Sequence, residues 1–171
     1  ILITMKRCLL LLTFILPSLV FSQRLGYVDS QQILEAVPEY REAQVELERL
    51  SKQWEGEISS MLDDMAALQG QLNAEKVLLT TDMVAQRQNY INGMQDSSMT
   101  LQQAYFGPEG LLFAKRLELV APVQAMVASA IVEVARKKKL DFMFDKGSGI
   151  AVVYARESND YSQDVLKQLG Y

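Results

Sequence analysis

From Glu39 to about Leu72 the apolar residues recur at helical spacing: Tyr40, Ala43, Leu47, Leu50, Trp54, Ile58, Met61, Met65, Leu68 and Leu72. Their intervals of 3, 4, 3, 4, 4, 3, 4, 3 and 4 cover 32 residues in nine steps, a mean of about 3.6. The pattern predicts one long amphipathic helix with a coiled-coil seam. A 3-4-4-3 passage around Trp54 and Ile58 relaxes the left-handed supercoil. Arg41, Glu42, Glu46, Glu48, Arg49, Lys52, Glu55, Glu57, Asp63 and Asp64 cover the other faces, with only Gly56 and Gly70 as weak points. A single apolar stripe on such a polar cylinder must bury itself against another helix.

That partner follows directly. Thr81 is a plausible N-cap, and a second, poorer stripe runs through Val84, Arg87, Ile91, Met94, Ser98, Leu101 and Tyr105. Between the stripes, "EKVLLTTDMVAQRQ" (Glu75 to Gln88) breaks the phase without Pro or Gly. It reads as the tip of an antiparallel helical hairpin, with the turn between Asn73 and Thr81. An arm of ~35 residues at 1.5 Å per residue is about 50 Å long, more than a compact domain of this size requires. Gly107, Pro108 and Gly110 then break or kink the return helix. Helix resumes to about Lys139 with Leu112, Leu119, Val123, Val127, Ala130, Ile131 and Val134 inward and a bend at Pro122.

Strand patterns lie at both ends of this helical middle. "RLGYVD" (Arg24 to Asp29) reads as a short strand with Leu25, Tyr27 and Val28 to bury. Asp29 caps a small helix, with Gln32 as the reciprocal arm of a capping box. Val37 is pushed into an extended conformation by Pro38, which opens the long helix. Near the other end, "LDFMF" (Leu140 to Phe144) and "IAVVYA" (Ile150 to Ala155) flank "DKGSG" and predict a β-hairpin. A final helix is expected from Asp160 as N-cap and Gln163 as its partner, with Val165, Leu166 and Leu169 inward and Gly170 as the stop. The expected fold is α+β and mainly helical. A small β-containing head (23–38 and 112–171) carries an antiparallel helical-hairpin arm (39–111) with its tip near 73–81.

The first 22 residues change the picture. "MKRCLLLLTFILPSLVFSQ" has a basic start at Lys6 and Arg7, an apolar run from Cys8 to Leu16 and a short region after Pro17. These are the parts of a secretory signal. The run falls short of the ~20 apolar residues of a membrane span, and cleavage is expected between Ser22 and Gln23. Ile1 to Thr4 read as residues upstream of the true start. The sole cysteine, Cys8, would leave with the signal, and the chain has no histidine. The usual zinc sites, thiol nucleophiles and imidazole bases are thereby excluded, and no cofactor or metal site is expected. Subtracting Lys6 and Arg7 from 17 basic residues leaves 15 against 21 acidic ones, a net charge of −6. This balance argues against nucleic-acid binding. No catalytic constellation appears. Asp63 and Asp64, adjacent on a helix and therefore divergent, read as a solvated face.

Several segments resemble the Skp/OmpH family of periplasmic chaperones. "DMVAQRQNYIN" (Asp82 to Asn92) is similar to the family segment just past the arm tip, and "DYSQDVLKQL" (Asp160 to Leu169) to its C-terminal helix. "GYVDSQQIL" and "LDFMFD" are similar to its first and later strands. The resemblance runs from Arg24 to Leu169. It implies a homotrimer whose heads join through their strands, and whose arms hold unfolded outer-membrane β-barrel proteins in a cavity without ATP. A lone short β segment is marginal and its open edges invite pairing, so oligomerisation is the expected remedy. Leu25, Tyr27, Val28, Phe142, Phe144, Val152 and Val153 are the candidates for the trimer head.

Five of the seven methionines outside the signal, Met61, Met65, Met83, Met94 and Met99, lie around the distal arm. Methionine is flexible and polarizable and suits varied apolar partners. These five and Tyr90 are the candidate client contacts. Met61, Met65 and Trp54 lie on the seam, where packing between helices competes with that role; Met99 and Tyr90 lie off it. Arg136, Lys137, Lys138 and Lys139 admit two readings. They oppose the dipole at a helix C-terminus, or they meet lipopolysaccharide or another anionic lipid, as the resemblance suggests. The best-known family members are basic, whereas this chain is acidic, so electrostatic attraction of the same clients is not expected to carry over. The break at Tyr105 to Gly110 has no clear place in the family pattern. The competing function is a structural coiled-coil scaffold of the envelope.

Overall fold

A computed structural model describes residues 23–149 and 151–171. The expected signal segment lies outside them, as does Ile150. The elements run β1 (Leu25–Val28), α1 (Ser30–Ala36), α2 (Pro38–Glu75), a 3-10 turn (Lys76–Leu78), α3 (Thr81–Phe106), α4 (Leu111–Lys138), β2 (Phe142–Asp145) and α5 (Ser162–Leu169). The fold is α+β and predominantly helical, with one two-stranded sheet among the described residues.

The long hairpin forms as the stripes require. All ten stripe residues of α2 are buried or half-buried. At ~1.5 Å per residue this helix is about 57 Å long. Val37 is extended and Pro38 occupies the first turn. The return begins one residue earlier than expected: Thr80, not Thr81, is the N-cap, its Oγ1 accepting from the Met83 N–H at 3.3 Å. The Gly107–Gly110 break separates α3 from α4, and both glycines are required there. A Cβ on Gly107 would lie 2.3 Å from the Gln103 carbonyl oxygen, and one on Gly110 2.8 Å from that of Tyr105.

The core sits at the open end of the hairpin. Val28, Ile33, Val37, Val123, Val127, Ala130, Val134, Val165 and Leu166 close on one another, with Tyr40, Met143 and Tyr161 at the margin. A smaller cluster of Ala43, Leu47 and Val120 extends it up the helices. Val120 lies outside the inward series of Leu112, Leu119, Val123 and Val127 that the periodicity predicts.

The sheet corrects the sequence reading. β2 does not form a hairpin with a strand at 150–155: residues 151–155 are not in a strand. Instead β2 pairs in parallel with β1, in the register Leu25–Phe142, Gly26–Met143, Tyr27–Phe144 and Val28–Asp145. Everything from Asp29 to Asp141 is the crossover that a parallel pair needs. The loop residues explain the change. Asp145 accepts from the Ser30 N–H (3.0 Å), the Ser30 hydroxyl (2.7 Å) and the Gly147 N–H (2.9 Å). Residues Lys146–Ser148 wind into a 3-10 turn against α1. Asp145 is thus spent on tertiary capping, and the chain does not double back.

The two expected capping boxes also differ from expectation. Asp29 Oδ1 accepts from the Gln32 N–H at 3.0 Å as expected, but the Asp29 N–H donates to Ser162 Oγ, 133 residues away, at 2.9 Å. At α5 the expected box from Asp160 to Gln163 is absent. The N-cap is Tyr161, and Asp160 accepts from the Ser162 N–H at 2.8 Å. The Tyr161 N–H donates to the Tyr27 carbonyl, holding this segment extended beside β1. Gly170 ends α5 at φ +96°, where a left-handed conformation favours glycine.

Candidate functional site

The sequence-derived candidates fall on the distal hairpin, on the sheet with the segment after it, and at the C-terminal end of α4. Along the hairpin, Met61, Met65 and Met94 are half-buried on the seam, whereas Met83, Tyr90 and Met99 are exposed. Beyond Leu47 the seam is only partly closed. Leu72, Ile91 and Ser98 are its buried residues, and every α2 stripe residue from Leu50 to Leu68 stays partly open. A cleft of about 380 Å³ lies between the helices near the tip, lined by Leu68, Gln71, Glu75, Gln86, Arg87, Tyr90 and Ile91. Arg87 pairs with Glu75 across its end, and Gln88 donates to Gln69 at 3.4 Å. Such a strip offers apolar floor, thioethers and side-chain amides, and it has no convergent set of charged groups.

An aromatic cluster holds the root of the arm. Trp54 stacks on Tyr105 with centroids 5.0 Å apart, and Phe106 meets Trp54 edge-on at 6.3 Å. The Tyr105 hydroxyl donates to Glu57 Oε2 at 2.9 Å. That bond, helped by partial burial and the charge of Glu57, raises the phenol pKa. Trp54 therefore packs against α3, as its seam position requires. The break at Gly107 to Gly110 follows this cluster directly and ends α3 beside it.

At the other end of the molecule, strand alternation divides the sheet. Gly26, Val28, Met143 and Asp145 are on the inward face; Leu25, Tyr27, Phe142 and Phe144 are on the outward one. Gly26 is required by close approach, since a Cβ there would lie 2.6 Å from the Tyr161 ring. Phe142 and Phe144 stack at 6.4 Å. Leu25, Phe142, Phe144, Val153 and Tyr154 are exposed, Val153 at 97%. Tyr27 and Val152 are half-buried, and both line a cleft of about 360 Å³ beside this face. Val28 differs from the other head candidates: at 1% exposure it is closed inside the chain's own core.

Two of the four cations at the end of α4 are held by α5. Lys138 Nζ lies 2.8 Å from Asp164 and 5.5 Å from the centre of the Tyr161 ring. Lys137 donates to Gln168 at 2.6 Å, and Gln168 donates in turn to Glu133 at 3.0 Å. Lys139 takes the left-handed cap position at φ +54°. Arg136 is exposed in the same last turn. The local geometry gives Lys137 and Lys138 a structural task, bracing two helices. Among the described residues, no acidic cluster is arranged to hold a metal ion.

Sequence reasoning missed Val77 and Leu78, the most exposed apolar pair of the hairpin. The signal was present in their position, between the two stripes and in phase with neither. It also missed Ser162, whose pairing with Asp29 has no local signature.

The model of the family of outer membrane proteins of OmpH-like type matches residues 24–169. Among solved structures, the fold is similar to that of a proposed outer membrane chaperone (OmpH-like) from Caulobacter crescentus CB15. The identity is 14% and the TM-score 0.70, over 86% of this chain and 84% of that one. No curated protein sequence matches. The family match takes in both strands, the whole hairpin and the C-terminal helix, so the chain belongs to the OmpH-like family.

Proposed function

We propose that this protein is an ATP-independent periplasmic holdase for unfolded outer-membrane β-barrel proteins. The observation that carries the reading is the incompletely closed hairpin. A helical pair about 50 Å long keeps its methionine-bearing seam partly open along the distal half. A structural strut would gain stability by covering that seam with a further helix. In this reading residues 1–22 are a cleaved export signal, 23–38 with 112–171 form the head, and 39–111 form the arm. Met61, Met65, Met83, Tyr90, Met94 and Met99 are the client-facing set.

The outward face of the sheet supports assembly. Leu25, Phe142, Phe144, Val153 and Tyr154 are exposed in the single chain, and a two-stranded sheet is marginal alone. The exposed apolar side chains of α4, among them Leu117, Met126 and Val132, extend the area available to neighbouring copies. Three copies joined here would set three arms around one cavity. Each arm grips weakly, and simultaneous contacts raise avidity by roughly 10²–10⁴. Release then requires only that a folding client bury its own apolar surface. The bracing of Lys137 and Lys138 leaves Arg136 and Lys139 as the main groups for any contact with lipopolysaccharide. The acidic balance removes broad attraction to acidic clients and disfavours nucleic acid as a partner.

The test is aggregation of a denatured β-barrel protein on dilution from urea, followed by light scattering, together with particle mass from sedimentation. Suppression of scattering by an elongated trimer is expected. A trimer that leaves aggregation unchanged overturns the holdase reading, and recovery of one fixed partner by native pull-down then assigns a scaffold.

A further inference from the structure

Client capture along the seam does not account for the far end of the hairpin. The turn Lys76–Leu78 leaves Val77 92% and Leu78 85% exposed. Both stand on the crest of a chain reversal. The cleft between Leu68 and Tyr90 includes neither of them. Sites for small molecules are concave and enclose most of their ligand. A crest this bare has no walls with which to hold a client segment, and it fits a medium that yields around it.

The surroundings specify that medium. Asn73, Lys76, Thr80 and Thr81 are exposed around the crest, forming a collar of hydrogen-bonding groups with one cation. Over residues 73–87 the charges are Glu75, Lys76, Asp82 and Arg87, two of each sign, and Glu75 is paired with Arg87. The tip is neutral, whereas the chain from Gln23 carries 15 basic and 21 acidic residues. The nearest of that excess, Asp63 and Asp64, lies about 20 Å down α2 at ~1.5 Å per residue, more than two Debye lengths of about 8 Å at physiological ionic strength. An apolar crest with a neutral, polar collar matches a surface of paired ammonium and phosphate groups over hydrocarbon.

We infer that the tip is a membrane-interface contact. Val77 and Leu78 enter the headgroup–acyl boundary of a zwitterionic phospholipid bilayer, while Lys76, Thr80 and Thr81 stay at headgroup level. Two aliphatic side chains give a weak, reversible hold, and several tips on one particle strengthen it. The inference does not depend on client capture.

Flotation of the chain from Gln23 with phosphatidylcholine–phosphatidylethanolamine vesicles tests it. Wild type is expected to float with the vesicles, with little loss on raising salt, since burial of apolar surface is not screened as surface charge is. The Val77→Asp/Leu78→Asp and Val77→Ser/Leu78→Ser variants are expected to partition at least about tenfold less, with unchanged far-ultraviolet circular dichroism and unchanged suppression of barrel-protein aggregation. Vesicle binding that survives in both variants overturns the inference, as does absence of binding by wild type. Binding only to anionic vesicles, reversed by salt, also overturns it and makes the contact an electrostatic one. Loss of aggregation suppression with unchanged flotation makes the tip a client contact instead. A wild type that floats and fails to suppress aggregation overturns the holdase reading alone.

Discussion

The open and closed ends of the hairpin share the stripe of α2 and end in different physical states. At the open end, α2 and α4 meet α1, α5 and the sheet. Ile33, Val37 and Val165 lose essentially all contact with solvent. In the distal half α2 has only α3 for company, and a two-helix contact cannot surround a side chain. Ile58, Met61, Met65 and Leu68 therefore remain half-open. The difference lies in the number of neighbouring elements more than in hydrophobicity. Apolar periodicity reports which side of a helix faces a partner and is silent on how completely the partner covers it.

Truncation should separate the two regions most sharply. Ile33→Ala empties a fully enclosed site and is expected to cost about 3 kcal/mol, within the ~2–5 kcal/mol range for such cavities. Met61→Ala, at a site already half-hydrated, should cost about 1 kcal/mol. Urea denaturation of both variants provides the comparison. Equal losses would mean that the distal seam is closed in solution.

A smaller effect is expected at the polar joint between the chain ends. Ser162 is buried, and its hydroxyl accepts from the Asp29 N–H at 2.9 Å. Ser162→Ala leaves that donor unpaired and should cost about 1–2 kcal/mol. Loss of amide protection at Asp29 with retained hairpin helicity, read by hydrogen exchange, would place the damage in the base. A uniform loss over the whole chain would show that base and arm unfold as one unit.

The distal half also carries helix-weakening residues that packing does not require. Gly56, Gly70 and Gly93 are helical, and a Cβ on any of them would meet nothing within 4 Å. The Ser97 and Thr100 hydroxyls donate to carbonyls one turn back, at 2.8 Å each, a pattern that bends helices slightly. Each Gly→Ala change should stabilise the hairpin by about 0.5–1 kcal/mol. Protection from hydrogen exchange should rise in α2 and α3 and stay unchanged in α5. If the arm must flex to fit clients of different size, the triple variant should lose its largest clients first in the aggregation assay. Unchanged client range would show that this softness has no part in capture.

The helical part of the fold was legible because its causes are local. The 3.6-residue stripe, Pro38 after an extended Val37, the Asp29 cap and the Gly170 stop each follow from chemistry within a few residues. The parallel sheet was not legible for the opposite reason. Asp-Lys-Gly-Ser-Gly is good hairpin chemistry by itself, and only the arrival of Ser30 beside Asp145 redirects it. Ser162 supplying the second arm of the Asp29 cap is likewise a contact between chain ends. On the hairpin, the half-buried seam positions of Met61, Met65 and Met94 were readable from helical spacing. The Val77–Leu78 crest belonged to no period, so a search for periodicity passed over it.

The smallest effect joins the C-terminus to the start of the long helix. The Tyr171 hydroxyl donates to Glu39 Oε2 at 2.7 Å. This bond, ahead of one to the Glu39 backbone, holds the Glu39 carboxyl below its ordinary value of 4.5. It also raises the Tyr171 phenol above 10.0. The two signs bound a window. A depressed carboxylate stabilises the fold fully above 4.5, and that contribution disappears as pH falls through the lower folded value. A raised phenol stabilises below 10.0 and loses its contribution as pH rises through the higher folded value. Both groups are exposed, so the effect is small and screened by solvent. Tyr171→Phe should lower the urea midpoint slightly and evenly between about pH 5 and 9, and the curves of variant and wild type should converge at both extremes. A difference that persists unchanged at pH 3 would mean that Tyr171 contributes through ring packing in the base instead of through its bond to Glu39.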